Sequence, residues 1–145
     1  MPEGETGRIL PAMIVQRLDH VNIITDRLAE TARFYAELLD LEERDGPPPL
    51  PPEQVRWMYD PAGNAILHLN SLDCPRVFER GVAPGAETGA IHHVALRCGD
   101  FAEVKARLDA RDADYRINDV PSIGLKQIFT ADPNNVLLEL NFFSV

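Results

Sequence analysis

Cysteine is scarce in this chain of 145 residues, which contains only Cys74 and Cys98. The two cysteines form no C-x-x-C motif, and nothing in the sequence around them suggests a disulfide framework. We therefore expect both thiols to be reduced and structural rather than redox-active.

Long apolar runs and an excess of basic charge are also missing. No apolar stretch approaches the roughly 20 residues that cross a bilayer, and Glu3 and Glu5 stand where a secretory signal carries basic residues. The 14 Lys and Arg are outnumbered by 23 Asp and Glu, for a formal net charge of −9, which argues against a nucleic-acid partner. We expect a cytoplasmic protein without a membrane or nucleic-acid partner, with a disordered lead-in over residues 1–15.

The composition that remains is that of a globular protein. Hydrophobic residues make up 45% of the chain and charged residues 26%. This length supports one compact domain with its own core and is too short for two ordinary domains. We assign residues 16–145 to that domain.

Alternation and helical periodicity predict the same order of elements twice, strand–helix–three strands. In the first half, residues 16–71, the segments are "QRLDHVNIIT", "DRLAETARFYAELLD", "LEERD", "VRWMY" and "AILHLN". In the second half, residues 89–144, they are "AIHHVALRC", "DFAEVKARLDARD", "YRINDV", "LKQIFT" and "NVLLELNFF". The Gly- and Pro-containing segment "RGVAPGAETG" connects the two.

The halves also match residue by residue, as an internal repeat does. "LDHVNI" (18–23) lies over "IHHVAL" (91–96), which pairs His20 with His93. "ILHLN" (66–70) lies over "LLELN" (137–141), which pairs His68 with Glu139. Neighbouring residues of a strand point to opposite faces, so His92 falls outside this set, and we expect it to be structural or exposed.

His20, His68, His93 and Glu139 thus occupy two equivalent positions in each repeat, each within an apolar strand. A polar group is costly there unless it is paired. One divalent ion (Zn²⁺, Ni²⁺, Fe²⁺, Mn²⁺ or Co²⁺) would pair all four groups and leave two adjacent positions for substrate oxygens. The alternative is three satisfied core histidines and a solvated carboxylate.

Alternation adds candidates for a substrate pocket on the same face. Two positions from each ligand lie Asn22, Asn70, Arg97 and Asn141. Arg97 is the only cation among them and a candidate for an anionic substrate group, with a salt bridge or a rim position as the alternatives. Gln127 is a further candidate for the lining. Trp57 or Tyr59 could also line the pocket, but their facing is ambiguous, and for such aromatics we favour core packing.

The segments "LDHVNI", "FYAELLDL", "AILHLN", "HHVALRC" and "DPNNVLLELNF" resemble the vicinal oxygen chelate superfamily. That superfamily includes glyoxalase I, extradiol dioxygenases, fosfomycin-resistance transferases and bleomycin-resistance proteins. The resemblance implies an α+β fold in which two βαβββ modules form a cupped, mostly antiparallel eight-stranded sheet around a divalent metal. It also implies ligands on the first and last strands of each module, and a homodimer whose site is shared between subunits in several members.

The activity that this resemblance favours is that of a metal-dependent isomerase or lyase of the glyoxalase I type. The metal would stabilise an enediolate of a small oxygen-chelating substrate, with Glu139 as the proton-transferring residue. Glyoxalase I typically carries Glu or Gln where this chain has His68. The alternatives are an iron(II) extradiol dioxygenase, although the strand near residues 124–130 offers no Tyr, and a small-molecule or antibiotic-binding resistance protein.

Overall fold

The structure, a computed structural model, describes residues 14–144. The lead-in predicted over residues 1–15 therefore lies outside the described residues, apart from Ile14 and Val15, which are exposed. Within the described residues, no helix combines the length and the apolar character needed to cross a membrane.

The two predicted strand–helix–strand–strand–strand repeats are confirmed. In the first repeat the elements are β1 (Val21–Thr25), α1 (Leu28–Leu39), β2 (Glu42–Asp45), β3 (Val55–Tyr59) and β4 (Ala65–Ser71). In the second they are β5 (Val94–Cys98), α2 (Phe101–Ala110), β6 (Tyr115–Val120), a 3₁₀ turn (Pro121–Ile123), β7 (Leu125–Ala131) and β8 (Leu137–Phe143). We call them the first and the second module.

The first strand of each module begins later than the sequence predicts. The β1–β4 ladder begins at the pair Val21 and Leu67, and β5 begins at Val94. His20 and His93 therefore immediately precede their strands instead of lying within them. The extent of a strand is set by its ladder with a partner strand, which the local pattern does not contain.

Within the described residues, the eight strands are hydrogen-bonded as two separate four-stranded sheets. Their orders are β1-β4-β3-β2 and β5-β8-β7-β6. In each sheet the first strand runs parallel to the last one, and the other neighbouring pairs are antiparallel. The predicted α+β fold with mostly antiparallel pairing is confirmed, with one sheet contributed by each module.

One side of each sheet faces a core that the two modules share. In α1, Ala32, Tyr35 and Leu38 are fully buried, and their spacing of three residues keeps them on one helix face. Val104 and Leu108 of α2, four residues apart, belong to the same cluster of buried side chains. The two helices also contact each other. The opposite side of each sheet thus faces away from this core.

A buried polar network joins the turn before β8 to the first module. The Tyr35 hydroxyl donates to the Asp132 carboxylate at 2.8 Å, and both residues are buried. The Asn134 amide donates to Thr31 Oγ1 at 2.9 Å and accepts from the Thr25 hydroxyl at 2.5 Å. Burial and the Asp132 carboxylate raise the pKa of Tyr35, which keeps the phenol protonated as a donor. The network therefore fixes how the two modules pack.

Both cysteines are free thiols, as the sequence suggested. Cys74 is buried, and burial raises the pKa of the half-buried Cys98 to about 11. A thiol with this pKa carries almost no thiolate, the reactive form, at neutral pH.

Candidate metal centre

The candidate ligands lie on the side of each sheet that faces away from the shared core. On β4, His68 and Asn70 alternate with the buried Leu67 and Leu69. On β8, Glu139 lies between the buried Leu138 and Leu140 in the same way. Because successive side chains of a strand point to opposite faces, these apolar neighbours enter the core and the polar groups stay outside it.

In the first module, His68 lies between two other rings. The His20 and His68 centroids are 3.7 Å apart at an interplanar angle of 14°, and the Trp57 and His68 centroids are 3.9 Å apart at 6°. Two parallel rings that close to His68 occupy its opposite faces. We call His20, His68 and Trp57 the aromatic stack. Trp57, for which the sequence left both pocket lining and core packing open, is half-buried on the polar face.

The surroundings of the aromatic stack orient the His20 ring and favour the neutral form of His68. The Asp19 carboxylate lies 2.6 Å from His20 Nδ1, and this hydrogen bond lowers the pKa of Asp19. An ionised carboxylate only accepts, so Nδ1 carries the proton and Nε2 is left with its lone pair. Burial, together with the neighbouring His20, lowers the pKa of His68 and so favours its neutral form. Neutral imidazole is the form that binds metal ions.

In the second module, His93 Nε2 lies 3.7 Å from Glu139 Oε1. The Glu139 side chain is only 17% exposed, whereas that of His93 is 38% exposed. His92 is exposed, as predicted, but the reason given from strand alternation is wrong because both histidines precede β5. Their rings are in contact, with the two Nδ1 atoms 3.0 Å apart.

The amide side chains predicted to line the pocket form hydrogen bonds with the candidate ligands or with each other. Asn22 donates to the His68 carbonyl at 2.9 Å and to Asn70 Oδ1 at 2.5 Å. In the second module, Gln127 donates to Asn141 at 3.0 Å, and Asn141 donates to Glu139 Oε2 at 3.0 Å. Two further residues of these networks are not indicated by the sequence pattern: Asp19, the partner of His20, and Asn118, which donates to Gln127 at 2.8 Å.

Arg97 lies on the same face of the second sheet, directly opposite Asn141 in the ladder. Its guanidinium lies over the Phe143 ring, 4.3 Å from the centroid. Within residues 14–144 it has no carboxylate close enough for a salt bridge, which removes one alternative considered for it. Stacking on an aromatic ring orients the guanidinium and leaves its N–H donors available to an anion.

The single chain brings the four candidate ligands together as two pairs. His20 stacks on His68, and His93 approaches Glu139. In the described part of the chain, no group of three or more His, Cys, Asp or Glu is placed to hold one metal ion. The packing explains this result. Each sheet packs one face against the shared core, and each pair of ligands lies on the opposite face, which is directed away from that core.

A cavity also lies between the modules. It measures about 550 Å³ and is lined by residues that include Asp60, Pro61, Arg97, Cys98 and Arg107. None of the four candidate ligands lines it. We therefore base the assignment of function on the two pairs and not on this cavity.

Comparison with known families gives a match that covers most of the chain. The model of the Glyoxalase/Bleomycin resistance protein/Dioxygenase superfamily matches residues 17–140. This range contains all four candidate ligands and ends within β8, the last strand of the second module. A search of curated proteins finds no match.

Solved structures of several proteins share the fold at low sequence identity. A lactoylglutathione lyase from Agrobacterium tumefaciens is 20% identical, with a TM-score of 0.61 over 90% of this chain and 96% of that one. A glyoxalase/dioxygenase from Nostoc punctiforme is 17% identical, with a TM-score of 0.67 over 96% and 99%. The fosfomycin resistance protein FosX from Listeria monocytogenes is 14% identical, with a TM-score of 0.61 over 91% and 97%. At these identities the likeness concerns the fold alone.

Proposed function

Because the chain belongs to the Glyoxalase/Bleomycin resistance protein/Dioxygenase superfamily, we propose that it is a divalent-metal-dependent isomerase or lyase of the glyoxalase type. The observation that carries the proposal is the position of the donors. Each module presents one pair of metal-binding side chains, at repeat-equivalent positions, on its polar sheet face. Three imidazoles and one carboxylate suit Zn²⁺, Ni²⁺, Fe²⁺, Mn²⁺ or Co²⁺.

We propose that the site is completed by two copies of the chain. Each pair is half of the four-ligand set, and the pairs lie on faces directed away from the shared core. In a symmetric homodimer, the first-module pair of one copy would meet the second-module pair of the other, giving two equivalent sites. Members of the superfamily commonly use divalent metals, and this arrangement supplies the four ligands that a single chain does not bring together.

The residues around the donors suit a small oxygen-chelating substrate. A bound divalent ion would supply Lewis-acid stabilisation of a developing oxyanion. Glu139, whose carboxylate is only 17% exposed and lies beside His93, would accept and return a proton. Arg97 would hold an anionic group of the substrate, and the amides of Asn22, Asn70 and Gln127 would contact its polar atoms.

Metal binding by the full chain tests the proposal directly. Trp57 is the only tryptophan in the sequence and stacks on His68, so its fluorescence reports on that ring. We expect added Zn²⁺ to change Trp57 emission. We expect His68→Ala to weaken Zn²⁺ binding by at least about 10-fold, since loss of even a hydrogen-bonding partner of a metal ligand typically costs that much. Methylglyoxal conversion and oxygen uptake by the loaded protein then separate isomerase from dioxygenase chemistry.

His92→Ala is the matched control, because it removes an imidazole that lies outside both pairs. It should bind Zn²⁺ like the wild type. A wild-type protein that binds no divalent metal by calorimetry would contradict the proposed function. Unchanged ligand binding by the metal-free protein would favour a small-molecule-binding role instead.

Subunit complementation tests the shared site. The double variant His20→Ala/His68→Ala lacks one pair, and His93→Ala/Glu139→Gln lacks the other, so we expect neither to bind Zn²⁺ tightly alone. Mixing equal amounts under conditions of subunit exchange should restore about one quarter of the wild-type sites, because half of the dimers are mixed and each has one intact site. Calorimetry gives the number of sites.

Differently tagged copies of the two variants serve as the control for exchange. Co-purification of both tags shows that mixed dimers have formed. Mixed dimers that bind no Zn²⁺ would exclude a site shared in this way.

A further inference from the structure

A row of polar side chains crosses the second sheet from one edge to the other. Arg97 of β5 lies opposite Asn141 of β8, Asn141 lies opposite Gln127 of β7, and Gln127 lies opposite Asn118 of β6. Directly opposed residues of neighbouring strands project to the same face. The three amides of this row therefore share the polar face with Glu139, which lies two residues before Asn141.

The three amides are hydrogen-bonded in series, and the series ends on Glu139. Asn118 Nδ2 donates to Gln127 Oε1 at 2.8 Å, Gln127 Nε2 donates to Asn141 Oδ1 at 3.0 Å, and Asn141 Nδ2 donates to Glu139 Oε2 at 3.0 Å. We call Asn118, Gln127 and Asn141 the amide relay. It extends over three strands to reach a single carboxylate oxygen.

The carboxylate sets the direction of the whole relay. An ionised carboxylate only accepts hydrogen bonds, so Asn141 must present its NH₂ group to Glu139. The oxygen of Asn141 then accepts from the NH₂ group of Gln127, and the oxygen of Gln127 accepts from Asn118. Hydrogen bonds in such a chain polarise and strengthen one another. Every amide thus has one orientation that satisfies the series, and reversing one member disturbs all those after it.

We infer that the amide relay positions Glu139 for metal binding, and that Asn118 acts on the metal site through the two other amides. The relay occupies Oε2 and leaves Oε1, which lies 3.7 Å from His93 Nε2, available beside that imidazole. Glu139 is thereby prepared to bind a cation through one oxygen. This inference rests on the proposed metal centre.

Asn118→Asp distinguishes an effect transmitted by the amide relay from the effect of an added charge alone. Asn118 is exposed, and aspartate has the same shape as asparagine. The substitution replaces the terminal hydrogen-bond donor of the relay with an acceptor. Gln127 would turn its NH₂ group toward Asp at position 118, and Asn141 would then present oxygen to Glu139. An added negative charge by itself attracts a cation and strengthens binding. The relay therefore predicts weaker binding where charge alone predicts tighter binding.

The experiment is a calorimetric titration of the full-length wild type and its variants with Zn²⁺ alone. We expect Asn118→Asp to weaken Zn²⁺ binding about 10-fold, the scale measured for hydrogen-bonding partners of metal ligands. Gln127→Glu replaces the donor to Asn141 with an acceptor, one hydrogen bond nearer to Glu139. It should weaken Zn²⁺ binding at least as much as Asn118→Asp does. The absorption spectrum of the Co²⁺-loaded protein should change in both variants, while the unfolding midpoint of the metal-free protein stays that of the wild type.

Ser122→Asp is the matched control, since it adds the same charge at an exposed residue of the turn after β6, outside the relay. It should bind Zn²⁺ as tightly as the wild type or more tightly. If the wild type binds Zn²⁺ and Asn118→Asp binds it equally or more tightly, the inference is overturned. Equal losses of Zn²⁺ affinity in Asn118→Asp and Ser122→Asp would overturn it as well. A wild type that binds no Zn²⁺ would instead overturn the proposed metal centre.

Discussion

Glu139→Gln is expected to reduce metal-dependent turnover by about 10²–10⁴-fold, the contribution typical of a positioned acid–base group. The variant removes the proposed proton acceptor, which is also the only anionic residue among the four proposed metal ligands. Its fold should be unaffected, because a glutamine oxygen still accepts the hydrogen bond of Asn141 at that position. The measurement is turnover of the metal-loaded variant, together with its circular dichroism spectrum and unfolding midpoint.

Glu53→Gln provides the control for this prediction, because it makes the same chemical change at an exposed glutamate outside both pairs. It should retain wild-type turnover. Full activity in a correctly folded Glu139→Gln protein would remove Glu139 from the proposed chemistry, and the assignment of the proton-transferring role would have to change.

Asp132→Ala is expected to destabilise the protein by about 3 kcal/mol. The carboxylate accepts from the buried Tyr35 hydroxyl at 2.8 Å and from the backbone N–H groups of Asn134 and Val136 at 2.7 and 2.9 Å. Removing it leaves the phenol buried without an acceptor and loosens the turn that packs against α1. Equilibrium unfolding in urea measures the loss.

The internal repeat offers a matched control at Asp60. Its carboxylate accepts from the backbone N–H groups of Ala62 and Asn64 at 3.0 and 2.8 Å, as Asp132 does in its own turn, but it has no buried phenol as a partner. Asp60→Ala should therefore cost about 1 kcal/mol. Equal losses at the two positions would show that the Tyr35 hydrogen bond contributes nothing to the packing of the modules.

The order of the elements was predictable because periodicity is a local property. Leu67 and Leu69 alternate with His68 and Asn70, so the strand and its two faces can be read from the sequence alone. The strand ends were less predictable. The segment that precedes Val21 has strand-like composition, yet its residues have no partner in the β1–β4 ladder.

The candidate donors were also found from the sequence, through the overlay of His20 on His93 and of His68 on Glu139. The way in which these donors group in space could not be predicted from the sequence. The stacking of Trp57 on His68 depends on the register of β3 with β4, and the contact of Asn118 with Gln127 depends on the register of β6 with β7. A register joins residues that no local pattern relates.

By itself, the sequence determined the repeat, the fold class and the residue types available for a metal site. The tertiary structure decided that the donors lie as two pairs on faces turned away from a common core. Apolar periodicity shows which side of a strand is buried, but not against which element it is buried. That choice depends on contacts between residues far apart in the chain, such as Tyr35 and Asp132, whose hydrogen bond stabilises one packing of the modules.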